Sequence, residues 1–167
     1  GCSLNRFDSY IIQYYLISEG FSISGSIDKA DIIIINSCGV KKQTEDRIIS
    51  RLKKLRALYK DKKLLLVGCL PLINLRRIKN ETSVDGILGP SPGYKVVEAI
   101  EKIMNGEYIE DLSQPSLLYK PIFSPDKIVS IPIGISVGCL DKCSFCGTRL
   151  ARGNLKSYPL DYIIKLI

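Results

Sequence analysis

Three thiols stand within eight residues at Cys139-x3-Cys143-x2-Cys146, in a glycine-containing loop. That is ligand spacing. Zinc sites usually present four ligands in two pairs, and here there are three. The chain has no histidine to complete a set. Three thiolates on a four-iron, four-sulfur cluster leave one iron without a protein ligand, open to a substrate or cofactor. The competing reading is a structural metal knot whose fourth ligand is distant in sequence.

The other cysteines are Cys2, Cys38 and Cys69. Their spacing says nothing, but their placement does. Cys38 follows a strand-like run that ends at Asn36, and Cys69 follows one that ends at Val67. Cys2 heads a helix-like segment. In a parallel α/β sheet the carboxyl ends of the strands share one edge, where ligands collect. The three thiols are therefore expected to converge, although buried structural cysteine is the plainer alternative.

The absence of histidine removes whole classes of chemistry: a histidine general base, a Ser-His-Asp or Cys-His nucleophile, a Cys2His2 zinc site and a Rieske centre. Six cysteines also permit a disulfide framework,. A chain of 167 residues with 46% hydrophobic content does not need one,. Gly1-Cys2 invites a myristoylation reading, but Asn5 occupies the position where that pattern needs Ser or Thr,. The longest aliphatic stretches fall far short of a membrane span. The expectation is a soluble, intracellular, reduced protein. The lack of an initiator methionine, and an end inside an apolar run at Leu166-Ile167, suggest a piece cut from a longer chain,.

The elements that must position these thiols alternate. Asp8-Ser9 reads as a cap for a helix from Tyr10 to Glu19, stopped by Gly20, and Phe21 to Ser24 reads as a short strand,. Ile32-Ile33-Ile34-Ile35 is apolar without alternation, as in a strand buried on both faces,. Lys41 to Lys60 predicts a helix with Ile48, Leu52, Leu55 and Tyr59 on one face,. Strands at Leu64–Val67 and Val84–Leu88 and helices at Pro71–Lys79 and Gly93–Asn105 complete the alternation, which implies βαβ units,. Residues 1–106 form the first domain on this reading. Residues 107–127, with Pro115, Pro121 and Pro125, form a linker,. Residues 128–167 form one further βα unit, with a strand from Ile128 to Val137 and a helix from about Leu160. The fold class is α/β, a parallel Rossmann-like sheet followed by the truncated start of another fold.

Charge is concentrated. The net charge is +7, with 24 Lys+Arg against 17 Asp+Glu. All of the surplus lies between Lys41 and Lys63. A face that tracks phosphates is the functional reading and a solvated helix face the plain one. Lys53, Lys54 and Arg56 are the candidates on the helix, with Arg149, Arg152 and Lys156 nearer the second cysteine group. Phe145 between two ligands would shield a cluster, lie against an adenine or anchor a core. Asn5, Asp8 and Asn36 would orient thiolates or form caps.

The Cys139-x3-Cys143-x2-Cys146 motif, with Phe145 before its third cysteine, resembles the signature of radical S-adenosylmethionine enzymes. The preceding region resembles the N-terminal domain of the methylthiotransferases, through Gly1-Cys2-Ser3-Leu4-Asn5, Asp8-Ser9, Asn36-Ser37-Cys38, Val67-Gly68-Cys69 and Val84-Asp85-Gly86 with Gly89. The stretch from Gly138 through Ala151-Arg152-Gly153-Asn154-Leu155 to Ser157-Tyr158-Pro159 is most similar to the archaeal and eukaryotic branch, which modifies threonylcarbamoyladenosine beside the tRNA anticodon. Other branches act on isopentenyladenosine in tRNA or on a ribosomal-protein aspartate.

The resemblance implies two 4Fe–4S clusters. One, on Cys139, Cys143 and Cys146, would bind S-adenosylmethionine and yield a 5′-deoxyadenosyl radical that takes hydrogen from C2 of the adenine. The other, on Cys2, Cys38 and Cys69, would deliver sulfur, and a second S-adenosylmethionine the methyl group. It further implies the anticodon loop of tRNA and an electron-donor protein as partners, a cytoplasmic location and the start of a (β/α) barrel at residue 128. A monomer is expected, and this portion alone is expected to be inactive. A non-enzymatic iron–sulfur electron-transfer module is the alternative of another class.

Overall fold

The computed structural model describes residues 1–113, 117 and 132–165. Four strands, β1 (Ile32–Ser37), β2 (Lys63–Gly68), β3 (Gly86–Leu88) and β4 (Ile109–Asp111), form a parallel sheet in that order. The helices α1 (Ser3–Ser18), α2 (Lys42–Leu58), α3 (Cys69–Glu81) and α4 (Lys95–Met104) cover it.

β2 has no polar alternation because both of its faces are covered. Leu64 and Leu66 pack with Ile49, Leu52 and Leu55 of α2 and with Leu70 and Ile78 of α3. Leu65 and Val67 pack with Ile12 and Leu16 of α1 and with Val96, Val97, Ile100 and Ile103 of α4. Each fully buried Leu or Val contributes about 1.5–3 kcal/mol, so this strand anchors two cores at once. The helical face expected between Lys41 and Lys60 is the one α2 buries: Leu52 and Leu55 lie in the core, and Ile48 and Tyr59 pack against it.

Several expectations are corrected. The first helix starts at Ser3, a turn and more before Tyr10, and Cys2 is its N-cap residue. Asp8 and Ser9 therefore lie inside the helix, where Asp8 is buried. Residues 21–24 are not a strand. β1 is an edge strand, so its four isoleucines are only half-buried rather than covered on every side. The expected linker begins with structure: Ile109–Asp111 pairs with β3 as the fourth strand. Short strands need little periodic signal when the neighbouring strand supplies the ladder. Most of the rest of 107–127, with all three of its prolines, lies outside the described residues, as do 128–131 of the strand expected up to Val137.

In the final part, residues 132–135 are irregular, and β5 (Ser136–Val137) pairs antiparallel with β6 (Lys156–Ser157). Between them lies a helix that periodicity did not announce, α5 (Gly147–Arg152). α6 (Leu160–Ile164) begins where expected. α5 is not isolated from the sheet domain: it packs on α3, and a Cβ on Gly147 would stand 3.3 Å from Ile73.

Candidate metal centres

The pairing of β1 with β2 places Ser37 opposite Gly68, so Cys38 and Cys69 leave neighbouring strand tips. Gly68 has φ +107°, and a Cβ there would run into the Ser37 carbonyl. Only glycine lets the chain turn this close to β1 before Cys69 opens α3. Ser37 Oγ donates to the Val67 carbonyl at 2.7 Å and ties the two tips together. Cys2 precedes the helix α1, whose first turn is tied to the same edge. Asn5 Nδ2 donates to Asn36 Oδ1 at 2.7 Å, and Asn36 Nδ2 donates to the Asn5 carbonyl at 2.8 Å and to Ser9 Oγ at 2.8 Å. Asn5 and Asn36 thus fasten the first turn of α1 to the end of β1, a role that capping signals alone did not indicate.

Cys69 is buried, Cys38 half-buried and Cys2 exposed, and all six thiols are free. Among the described residues no three Cys, Asp or Glu side chains close on a single ion. Ligands of a cluster stand further apart than those of one ion, because the cage lies between them. The donor set at this edge is soft thiol, which suits iron–sulfur rather than a hard cation.

The second group is held by a compact loop. Gly138, at φ +87°, brings the backbone against Asn154. The Cys139 amide donates to the Gly153 carbonyl at 3.2 Å, and the Leu155 amide donates to the Cys139 carbonyl at 3.1 Å. The Cys146 amide donates to the Cys143 carbonyl at 3.2 Å, closing a turn. Cys146 Sγ accepts from the Arg149 amide at 3.5 Å and caps α5. Cys139 and Cys146 are half-buried and Cys143 exposed. Phe145 is 90% exposed, so it is no core anchor among the described residues; its ring is available to a bound group.

One polar cluster was not foreseen. Arg152 and Asp8 form an ion pair at 2.5 Å with each side chain 2% exposed. The Ser91 hydroxyl donates to Asp8 Oδ1 at 2.6 Å and accepts from Arg152 Nη1 at 3.2 Å. The guanidinium also acts on Cys69. Burial pushes that thiol above its ordinary range, and the charge and hydrogen bond of Arg152 oppose the rise. Burial alone would lower the Arg152 pKa, but the Asp8 carboxylate outweighs it and holds the guanidinium charged. Arg152 is therefore withdrawn from the nucleic-acid candidates. The missed signal is the pair Asp8 and Arg152, each with a plausible local role that hid the long-range one.

Two other cations are already engaged. Arg56 donates to Asp85 at 2.5 Å, to the Ser83 carbonyl at 2.9 Å and to the Lys62 carbonyl at 3.2 Å. Lys53 pairs with Glu81 at 2.7 Å. Arg149 donates to Asn154, while its Nη1 is buried without a partner among the described residues. Lys54 and Lys156 are exposed. Arg47 and Arg51 extend Lys54 into a stripe at helical spacing, all exposed, and none of the three makes an ion pair among the described residues.

The first cysteine group, Asn5, Asp8 and Asn36 all lie within residues 1–89, the stretch matched by the model of a family described as "Uncharacterized protein family UPF0004". The chain belongs to UPF0004. Curated relatives of this UPF0004 chain extend the likeness across the second cysteine loop. A "Probable threonylcarbamoyladenosine tRNA methylthiotransferase" of Methanothermobacter thermautotrophicus is 37% identical over 166 residues, 98% of this chain and 39% of the relative. One of the same name from Pyrococcus horikoshii is 38% identical, over 98% of this chain and 39% of its own length. The "Threonylcarbamoyladenosine tRNA methylthiotransferase" of Homo sapiens is 32% identical over 98% of this chain and 29% of its own length. The UPF0004 chain thus spans well under half the length of these relatives.

Proposed function

We propose that this chain is the N-terminal part of a radical S-adenosylmethionine methylthiotransferase that modifies threonylcarbamoyladenosine in tRNA. The observation that carries the reading is that Cys69 opens α3 and Cys146 caps α5, on two helices that pack together, so that one cysteine of each expected triad stands on neighbouring elements. The names of the relatives support the reaction and the substrate.

Cys2, Cys38 and Cys69 would hold the auxiliary cluster, and Cys139, Cys143 and Cys146 the one that receives S-adenosylmethionine. Bound there, these groups would supply the one-electron chemistry that opens C2–H of the adenine and the sulfur that is added, and a second S-adenosylmethionine would supply the methyl group as an electrophile. The chain's own part is placement. Asn5 and Asn36 keep the first turn of α1 at the β1 tip, and the backbone turn from Cys143 to Cys146 fixes the spacing of those two residues. Phe145 would cover the bound cofactor from water. Residues 1–111, which include the fourth strand of the sheet, would serve as the auxiliary-cluster domain, 112–127 as the connection and 128–167 as the opening of the catalytic barrel. The partners on this reading are the tRNA anticodon loop and an electron-donor protein, and the setting is the cytoplasm. No helix among the described residues is long and apolar enough to cross a membrane.

Anaerobic reconstitution of the full-length protein tests this. Two four-iron clusters bind about eight irons per chain. Cys38→Ala should lose about half of that iron, still cleave S-adenosylmethionine and make no methylthio product. Normal methylthiolation by Cys38→Ala would refute the auxiliary site. Mass spectrometry of tRNA nucleosides from a deletion strain checks the substrate: loss of methylthio-isopentenyladenosine instead would move the protein to another branch.

A further inference from the structure

Four segments meet on the side chain of Arg152. It closes α5, the helix capped by Cys146, and it pairs with Asp8 in α1, the helix that begins directly after Cys2. Ser91, between β3 and α4, contacts both, and Cys69 lies against the guanidinium. Ser91 is held at φ 52°, a left-handed conformation that a non-glycine residue adopts only when its surroundings impose it,. A buried ion pair is weak evidence for stability, because desolvation offsets much of the attraction. What a satisfied, forked guanidinium supplies is geometry: it fixes the direction of every partner it touches.

We infer that Arg152 is a positioning residue: the Arg152–Asp8–Ser91 clasp sets how the two three-cysteine sites stand relative to each other. The inference rests on the function proposed above and adds to it the device that registers one site on the other. Beside the clasp, α5 rests on α3, where Gly147 meets Ile73; that apolar contact carries no directional bond. Sulfur transfer between sites needs a fixed approach, whereas cleavage of S-adenosylmethionine needs only the second site.

The test uses the full-length protein with Arg152→Met, which keeps the stem and removes the fork, and Arg152→Lys, which keeps a point charge. In cluster-free protein, Arg152→Met should speed hydrogen exchange of the amides at 150–153 by about tenfold or more, with α2 unchanged. In reconstituted protein with normal iron content, the ratio of 5′-deoxyadenosine released to methylthio product should rise by about tenfold or more, the usual scale for losing an outer-shell partner. A merely structural role lowers both products together and leaves the ratio alone. Unchanged exchange overturns the clasp. Faster exchange with an unchanged ratio overturns the positioning role. If Arg152→Met does not fold, Arg152→Lys decides: it retains Asp8 but cannot reach Ser91 and Cys69 together, so a raised ratio supports the inference and a wild-type ratio overturns it. If the wild-type protein makes no methylthio product, the proposed function fails, and the exchange measurement still decides whether the clasp exists.

Discussion

Asp8 carries opposite meanings in isolation and in the fold. Next to Ser9 it looks like a helix cap; within the molecule it is a buried anion whose charge is matched by one guanidinium. Breaking a buried pair from one side leaves the other charge stranded, at a cost of about 3–5 kcal/mol. Asp8→Ala should therefore lower unfolding free energy by about that amount in urea titration, and Asp8→Ala with Arg152→Met should recover part of the loss. Asp111 shows the exposed counterpart. Lys95 at 2.6 Å and Ser113 hold its carboxyl down at about 2. A depressed carboxylate contributes above its unfolded pKa, near 4, and loses that contribution as pH falls through the folded value. Since the pair is partly open to water, Asp111→Asn should cost no more than about 1 kcal/mol at neutral pH. Its unfolding free energy should converge with that of the wild type as pH drops toward 2.

At the scale of elements, α2 sorts its cations by what lies beneath them. Arg56 and Lys53 face α3 and the turn before β3, and their partners are Asp85 and Glu81. Arg47, Arg51 and Lys54 face solvent. A charge run in sequence cannot make that division, because all these residues share one composition. If the helix meets tRNA, it is the outer stripe that does so. Changing Arg47, Arg51 and Lys54 to Gln in the full-length protein should reduce the salt slope of tRNA binding by about 2, at about 0.7 per phosphate contact. Lys53→Gln should leave that slope as it is. An unaltered slope in the triple variant removes α2 from the interface.

For the molecule as a whole, the parallel α/β plan was legible because β2 is apolar without alternation from Leu64 to Val67 and its helices carry a clear buried stripe. β4 was not, since three residues hold no period and depend on β3 for their ladder. α5 was hidden for a similar reason. It is short, it grows directly from the Cys146 cap, and its seat on α3 is set by Gly147 and Ile73 rather than by any repeat. The placement of Cys38 and Cys69 at neighbouring strand ends could be read from the apolar runs before them. The bonds that fasten the first group, Asn5 to Asn36 and Ser37 to Val67, could not.

The sequence by itself determined which donors are available: six thiols and no imidazole, two of the thiols just beyond strand ends. It also determined the alternation that makes a parallel sheet. Those properties are local, residing in residue type and short-range period. Only the tertiary structure decided that Arg152 is an internal cation rather than a surface one, and which residues on α2 remain open to a partner. Partners separated by 144 positions, as Asp8 and Arg152 are, leave no mark on either neighbourhood. They are selected when packing excludes water and only a paired charge can stay buried.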